Sequence, residues 1–215
     1  CTRKLDISNF SYNNTTLGNL SVHSMLDFAT MGILLKGVIS NQKKQDSYVD
    51  GYIFPTKDSI SIAFDVDHVP LKFIQPFINS ILIDAEGEAS GHVVLEGNFE
   101  RITVYGDAFA HNFSFGVPFI NTRYHLSDSL HFDKDKIYFD NVTLYDEFEN
   151  TAKGRGYIKH KYFTQTEYDI EIYNARKMFV FDVPRTTGIP YYGTIFGSGD
   201  VRVIGNDYNT NIAVN

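Results

Sequence analysis

The chain has no tryptophan, only six prolines and a single cysteine, Cys1, among its 215 residues. One cysteine cannot form an intrachain disulfide, which excludes a small domain held together by disulfides. No window approaches the roughly 18 consecutive apolar residues that a membrane-spanning helix needs. The two most apolar runs, 31–39 and 73–83, are short and are broken by lysine, glycine, glutamine or proline. The sequence therefore predicts no helical membrane span.

Basic residues are also scarce, since 19 lysines and arginines face 26 aspartates and glutamates, for a formal net charge of −7. A nucleic-acid-binding surface needs a basic face or stripe, and this chain shows none. Aromatic residues are abundant instead: 18 phenylalanines and 14 tyrosines bring the aromatic content to 15%. Rings of this kind suit pleated, half-buried surfaces. The composition therefore favours a globular protein rich in β-strands.

Alternation of polar and apolar residues is the strongest local pattern, and three segments show it: 59–67, 107–115 and 167–172. Successive side chains of a strand point to opposite faces, so each segment predicts a strand with one dry and one wet face. In the second segment we expect Phe109, Phe113 and Phe115 on the dry face, with Ala108 and Ala110 opposite.

Turn signals interrupt the alternation at short intervals, for example at Gly18-Asn19 and Gly97-Asn98. At about 8 to 12 residues per strand and turn, the chain would hold roughly 15 to 20 strands. One segment differs, because apolar residues recur at helical spacing over Pro70–Leu82, with Pro76 inside it. We expect one short or broken helix at 70–82. The remainder predicts an all-β protein.

Two landmarks occur twice, in the same order. SGHVVLEG at Ser90–Gly97 returns as SGDVRVIG at Ser198–Gly205, 108 positions later, and GYI at Gly51–Ile53 returns at Gly156–Ile158, 105 positions later. A shared offset indicates a repeated module, and strand-rich repeats stack into elongated arrays whose surface carries the function. We therefore predict a single elongated β-module over residues 1–215, with two related repeats at about 51–97 and 156–205.

Signals for catalysis, a metal or a cofactor are weak. The seven histidines are scattered, and no HExxH motif occurs. Ser90 and Ser198 precede glycine outside any G-x-S-x-G elbow, so turns at the start of a strand are the preferred interpretation. Asp65 and Asp67 share a strand face but lack the further acidic ligands of a calcium site. We therefore expect no enzyme activity, no cofactor and no metal.

Three features occur in a fixed order: the predicted helix PLKFIQPFINSIL (70–82) before an S-G-x-V strand, the stretch FDNVTLYDEFENTA (139–152), and the G-Y-I strand after it. Together they resemble the C-terminal region of TamB proteins in the form found in Bacteroidetes. The similarity covers most of residues 50–205. TamB-like proteins belong to the AsmA-like group.

That resemblance implies a long curved β-sheet, described as a β-taco or β-groove, with a hydrophobic interior. It also implies the periplasm of a Gram-negative bacterium, an N-terminal inner-membrane anchor, and an Omp85-type outer-membrane partner such as TamA. The family is implicated in outer-membrane protein assembly and in moving phospholipid between the two membranes. It has no known catalytic residues to carry over.

The expected function is therefore that of a periplasmic segment of a TamB-like envelope-biogenesis protein, which presents a hydrophobic β-groove to phospholipid acyl chains. A contiguous exposed apolar face usually marks a binding site. The residues expected on the dry face are Ile60, Ile62, Phe64, Val93, Leu95, Phe109, Phe113, Phe115, Ile170, Ile172, Val201 and Val203.

Two alternatives remain open. The first is a chaperone-like module whose sheet edge pairs with unfolded outer-membrane strands by β-augmentation. The second is a secreted carbohydrate-active β-protein, favoured only if two carboxylates face each other across a cleft. Because the sequence starts at Cys1 without methionine or signal peptide, we expect an excised fragment rather than a lipidated N-terminal cysteine. Its cut sheet edges would favour self-association.

Overall fold

The computed structural model of the chain describes residues 2–12, 14–41, 46–78, 82–98, 100–118, 120–162, 164–185 and 192–214. These residues form thirteen strands in one antiparallel sheet, whose spatial order follows the chain from β1 to β13. The strands are β1 Thr2–Tyr12, β2 Thr15–Asp27, β3 Gly32–Ser40, β4 Ser47–Phe54, β5 Ser59–Pro70, β6 Ile83–Gly97, β7 Ile102–Val117, β8 Thr122–Asp133, β9 Lys136–Asp146, β10 Thr151–Lys161, β11 Thr164–Val183, β12 Gly193–Asn206 and β13 Thr210–Val214. The prediction of an all-β, elongated and curved sheet is confirmed.

The strands are fewer and longer than the turn signals predict. Thirteen are described, and β11 alone has 20 residues. Gly18-Asn19, for example, lies inside β2, where the Asn19 carboxamide oxygen accepts a hydrogen bond of 3.0 Å from the amide of Asn9 on β1. Asparagine and glycine also serve irregular strand positions, so some of the sequence signals for turns mark irregularities within a strand.

The predicted helix is short and broken, as expected. Leu71–Ile74 forms a 3₁₀ turn and Gln75–Ile78 a single α-helical turn, while positions 79–81 lie outside the described residues. Gln75 ties this segment to the chain that follows, because its side chain donates to the carbonyl of Leu82 at 2.9 Å and accepts from the amide of Ala85 at 2.5 Å. Within the described ranges, no helix has both the length and the apolar character to cross a membrane. Cys1 is likewise outside these ranges.

Irregular positions with left-handed backbone recur along the strands, and their amides are bound by side chains of a neighbouring strand. The donor and acceptor pairs are Asn9 with Asn19, His68 with Ser90, Asn112 with Ser127, Asn174 with Asp200, and Lys177 with Ser198, at 2.8–3.0 Å. Register shifts accompany these positions, as a β-bulge requires. A bulge bends its strand and increases the local twist. Repeated bulges therefore give this sheet its curvature.

The curvature brings strands together that are not neighbours in the sheet. The hydroxyl of Tyr124 on β8 donates to the carbonyl of Phe179 on β11 at 2.9 Å. At the opposite rim, the guanidinium of Arg101, in the β6–β7 turn, lies 5.8 Å from the ring of Tyr162, in the β10–β11 turn. Two strands separate β8 from β11, so the sheet must curl between them.

The two repeated landmarks occupy matching positions in the sheet. GYI lies in β4 and in β10, and the S-G motif lies in β6 and in β12. Gly51 faces Ile62 across the ladder, as Gly156 faces Ile170. A Cβ at either glycine would approach a neighbouring carbonyl oxygen to 2.2 or 2.4 Å. Both copies therefore need glycine for close approach of the strands.

Candidate hydrophobic groove

One face of the sheet carries a row of uncharged residues, most of them apolar or glycine, across the thirteen described strands. Residues directly opposite each other in neighbouring strands share a face. Following the register from β1 to β13 through Phe64 gives Leu5, Val22, Gly37, Val49, Phe64, Val93, Gly106, Phe132, Ile137, Ile158, Tyr168, Gly205 and Thr210. None of these residues is charged. We call the surface to which this row belongs the apolar face.

Parallel rows extend the apolar face in both directions along the strands. The row through Ile62 runs over β2–β7 as Ser24, Leu35, Gly51, Ile62, Leu95 and Val104. The row through Ile170 runs over β9–β13 as Phe139, Gly156, Ile170, Val203 and Ile212. The next row along, through Ile172, contains Val142, Gly154, Ile172, Val201 and Val214. The apolar face is thus two-dimensional, and it is interrupted at β1, where Arg3 lies opposite Ser24 in the row through Ile62.

The opposite face, called the outer face here, is polar along the corresponding row. From β4 to β12 that row reads Tyr48, Asp65, His92, Asp107, His131, Tyr138, Tyr157, Asp169 and Ile204. Asp65 contacts His92 at 2.6 Å and Asp107 contacts His131 at 2.5 Å. The sheet therefore separates an apolar from a charged surface.

Eleven of the twelve residues expected on the dry face lie on the apolar face; Phe109 does not. Phe109 pairs with Ser90 and Ser129 on the outer face, and 40% of its surface is exposed. The cause is the β-bulge at Asn112, where the register advances three residues on β7, from Ala110 to Phe113, but two on β8. The bulge moves Phe113 and Phe115 onto the face of Ala108 and Ala110. The prediction that Phe109 shares a face with Phe113, and that the alanines lie opposite, is wrong.

The eleven residues differ in how deeply they are buried. Phe113 is buried within a core cluster that consists of Leu71, Ala85, Ala110, Phe113, Tyr124, Leu126, Leu144, Ala152 and Met178. Phe115 and Ile172 pack against the edge of this cluster. Ile60 is buried separately near the β4–β5 turn. The others, Ile62, Phe64, Val93, Leu95, Ile170, Val201 and Val203, are half-buried and lie outside the cluster.

The core cluster defines a covered end of the apolar face. It includes Leu71, and Ile74, Ile78 and Leu82 pack against it, so the segment between β5 and β6 lies over the sheet there. The rest of the apolar face, toward the β4–β5 and β6–β7 turns, is called the open part. Ile62, Phe64, Val93 and Leu95 belong to the open part. One face therefore has two environments.

A buried carboxylate that no sequence motif had identified holds the covered end together. Asp146, at the end of β9, is fully buried. It accepts hydrogen bonds from the amides of Phe148 and Asn150 at 2.9 Å, from the Asn150 side chain at 3.0 Å, and from the amide of Phe179 at 2.6 Å. It thereby joins the β9–β10 turn to β11.

The charge state of Asp146 follows from these contacts. Burial alone would raise its pKa, but the hydrogen bonds from Phe179, Asn150 and Phe148 outweigh burial and lower the pKa below the ordinary value. An ionised carboxylate with this many donors is a strong structural anchor. The only sequence signal was the Asp-x-x-x-Asn spacing inside FDNVTLYDEFENTA, which places Asn150 across the turn from Asp146.

The repeated serines are also structural, but not as the sequence suggested. Ser90 and Ser198 lie within β6 and β12, not at a strand start. Each hydroxyl accepts the amide of a bulge residue on the preceding strand, at 2.9 Å. Ser90 also lies 3.0 Å from Nε2 of His111, whose ring stacks on His68. The preceding-strand bulge therefore accounts for the repeated serine.

Several carboxylates on the outer face are paired with basic groups or hydroxyls. Arg202 bonds both oxygens of Asp169, at 2.7 and 2.9 Å, and lowers the pKa of that carboxyl. Arg155 bonds Glu171 at 2.7 Å. Asp67 contacts His68 and the Ser90 hydroxyl. The Arg202–Asp169 and Arg155–Glu171 contacts join neighbouring strands and are of the kind that stabilises sheets.

Comparisons of the chain with protein-family models, with curated proteins and with solved structures found no match. The fold and the site define a class by themselves: an open, curved, antiparallel sheet with one apolar face and one polar face.

Proposed function

We propose that this chain is a periplasmic segment of a TamB-like envelope-biogenesis protein, and that its apolar face is a groove for phospholipid acyl chains. The observation that carries the proposal is the uncharged row through Phe64, which crosses all thirteen strands in register. An acyl chain needs apolar contact and no specific polar partner. The row offers that contact at equivalent positions in series.

The open part supplies the free apolar surface. Phe64 and Val93 are opposite each other and half-buried, although each belongs to an apolar row. Contiguous apolar surface that is left partly exposed usually marks a binding site. Each methylene buried against it would contribute about 0.8 kcal/mol. Passive transfer along such a row requires no covalent step, no cofactor and no metal.

The wider setting also belongs to the proposal. The full-length protein would be anchored in the inner membrane and would act with an Omp85-type partner such as TamA, in phospholipid transfer, in outer-membrane protein assembly, or in both. The resemblance of three motifs within residues 50–205 to TamB proteins supports this setting, together with the curved sheet.

Site-specific photo-crosslinking tests the groove. A photo-reactive residue at Phe64 or Ile170, both in the open part, is expected to form adducts with phospholipid in bacterial envelopes. The matched control is the same residue at Phe109, a phenylalanine position exposed on the outer face. Mass spectrometry of the adducts identifies the lipid. Equal labelling at Phe64 and Phe109, or none at Phe64 and Ile170, would contradict the proposal.

A second candidate, strand addition, is favoured by the edge at β12. β13 pairs with β12 only from Val201 to Gly205, and no other strand of the described chain covers Gly193–Asp200 on that side. Ile195 and Phe196 on this stretch are both about half exposed. An unpaired edge of this kind can add an extended peptide.

The two candidates separate in one experiment. Under strand addition, a photo-reactive residue at Thr194 would capture unfolded outer-membrane protein strands, whereas Phe64 would capture none. Under acyl binding, Phe64 captures lipid whether or not Thr194 reacts. Replacing Thr194 by proline removes an edge amide donor and would abolish peptide capture only.

A further inference from the structure

The apolar face changes character along β5 and β6. From the Ile60–Gly97 pair to the Val66–Gly91 pair, its residues lie outside the core cluster. Beyond that point Ala89 packs against the cluster, and Ala110, opposite it on β7, is a member. Ile60 itself is buried, so the open part runs along the strands from Ile62 to Val66, which are both half-buried. It ends at the first covered row and therefore has a definite depth.

That depth matches the length of an acyl chain. Ile62 and Val66 are four residues apart, and four residues of antiparallel strand span about 14 Å. One leaflet of a bilayer holds its acyl chains within about 15 Å, half of the roughly 30 Å hydrocarbon core. A chain lying parallel to β5 and β6 would fit between the rim and the covered end.

A dense surface closes the deep end of this space. Leu71 is buried in the core cluster, and Ile74 and Ile78 pack against it. Gln75 fixes the segment through its bonds to Leu82 and Ala85. At the shallow end the β4–β5 turn is exposed and polar at Lys57 and Asp58, and Arg101 is exposed in the β6–β7 turn. The space is therefore apolar at its floor and polar at its rim.

We propose that the segment Leu71–Ile78 is the floor of the groove and determines the length of the acyl chain that it accepts. The chain enters methyl end first along β5 and β6, and its polar end stays at the rim. This inference rests on the proposed acyl-binding function. It predicts that affinity rises about fourfold for each added methylene, from about 0.8 kcal/mol each, until the methyl end meets the floor. Beyond that length, affinity stops rising.

Two substitutions should move this limit in opposite directions. Val66→Phe adds a ring at the last open row, where the neighbouring positions are Gly91 and Ala108. It should therefore shorten the space that is open to the acyl chain. Leu71→Ala removes buried volume from the floor and should therefore lengthen the space that is open to the acyl chain. Val94→Phe is the matched control, because Val94 lies on the outer face between Ala63 and Tyr105.

The measurement is displacement of a fluorescent acyl probe from the purified protein by saturated fatty acids of increasing length. The wild type and Val94→Phe should reach their plateau at the same chain length. Val66→Phe should reach it at a shorter length, by about two strand residues or roughly 7 Å. Leu71→Ala should reach it at a longer length. A general loss of stability would not move the plateau to a shorter chain length in Val66→Phe and to a longer one in Leu71→Ala.

The outcomes separate this inference from the function beneath it. If the wild type binds fatty acids but all variants level off at one length, the floor is overturned and acyl binding stands. If no fatty acid of any length displaces the probe from the wild type, acyl binding is overturned, and the proposed floor is overturned with it. Should Leu71→Ala not fold, Val66→Phe against Val94→Phe still decides the question.

Discussion

The covered end and the open part of the apolar face consist of the same kinds of residue in the same sheet, yet they are in different environments. Phe113, at the covered end, is buried by Leu71 and the strands that curl toward it, whereas Phe64, in the open part, is half-buried. Both residues lie in segments where polar and apolar side chains alternate, so their local sequences do not distinguish them. The difference is set by what lies above the sheet.

The comparison assigns separate tasks to the two regions. The covered end has a closed core, a buried carboxylate and contacts between β8 and β11, all of which stabilise the fold. The open part keeps apolar surface partly accessible, which stabilises the fold less. In the proposed function, this is the surface that binds acyl chains. A protein with one sheet and no second layer over its full length needs such a division, because an entirely open face would bury too little apolar area.

Truncating one phenylalanine in each region should give the largest contrast. Phe113→Ala leaves a cavity in the core cluster and should lower the free energy of unfolding by about 3–5 kcal/mol. Phe64→Ala loses only part of a buried ring and should cost about 1–1.5 kcal/mol, while abolishing lipid crosslinking at neighbouring positions. Denaturant unfolding measures both. Equal losses of stability would remove the distinction between the two regions.

Removing the carboxylate of the covered end should come next in size. Asp146→Ala deprives the amides of Phe148, Asn150 and Phe179 of their acceptor, and we expect a loss of about 3 kcal/mol. Asp169→Ala is the control, because that carboxylate pairs with Arg202 on the exposed outer face and should cost about 1 kcal/mol or less. Thermal or denaturant unfolding decides between them. Similar losses would show that Asp146 is not the anchor of this end.

Glycine at a close approach of two strands should matter more than glycine at a position with room for a Cβ, such as Gly197. At Gly156 the backbone φ is 153°, and a Cβ would lie 2.4 Å from the Asp169 carbonyl oxygen. Gly156→Ala should cost about 1–3 kcal/mol in strain. At Gly197 a Cβ would meet only Val180, at 3.5 Å, an ordinary contact. Gly197→Ala should change the unfolding free energy by about 0.5 kcal/mol or less. An equal effect of both changes in unfolding experiments would contradict this interpretation.

Acid should weaken the covered end through Asp146. Its pKa is lower in the folded chain than its ordinary value of 3.8, so the unfolded chain takes up the proton first. The stabilisation is therefore complete above that ordinary value and is lost as the pH falls through the lower, folded pKa. The difference in unfolding free energy between the wild type and Asp146→Asn should shrink as the pH falls below about 4. A difference that grows with acidification would reverse the sign assigned here.

The smallest effect should come from the serine that binds a bulge amide. Ser90→Ala removes the acceptor of the His68 amide and should cost about 1 kcal/mol, as expected for one hydrogen bond. Ser90→Thr keeps the hydroxyl and should restore most of the loss. Unfolding measurements on the two variants provide the test. Were threonine no better than alanine, the hydroxyl would not be the feature that supports the bulge.

Local sequence was sufficient for the fold class and for most of the apolar face. The period of two at Ile60, Ile62 and Phe64 dictates which residues share a face, because side chains alternate along any strand. The GYI landmarks lie at matching register positions, since close approach of the strands demands glycine at both Gly51 and Gly156. The broken helix at 70–82 followed from its spacing and from Pro76.

Phe109 shows where local reasoning fails. Strict alternation through Asn112 predicts that Phe109 and Phe113 share a face. A bulge at Asn112 instead places Phe109 and Phe113 on opposite faces of the sheet. A bulge depends on the pairing with β8, and that pairing is set by residues many positions away. Asp146 was missed for a related reason: its partner Phe179 is 33 positions along the chain, and only the curl of the sheet brings them within hydrogen-bonding distance.

The sequence by itself determined that the chain is all-β, that its strands are amphipathic, and that one face is apolar, because these properties depend on side-chain order along each strand. Only the tertiary structure decided where the face is covered and where it is open. Coverage depends on curvature, which the bulges produce, and on the position of Leu71–Ile78 over the sheet. Both result from contacts between residues distant in sequence, whose energies do not appear in any local pattern.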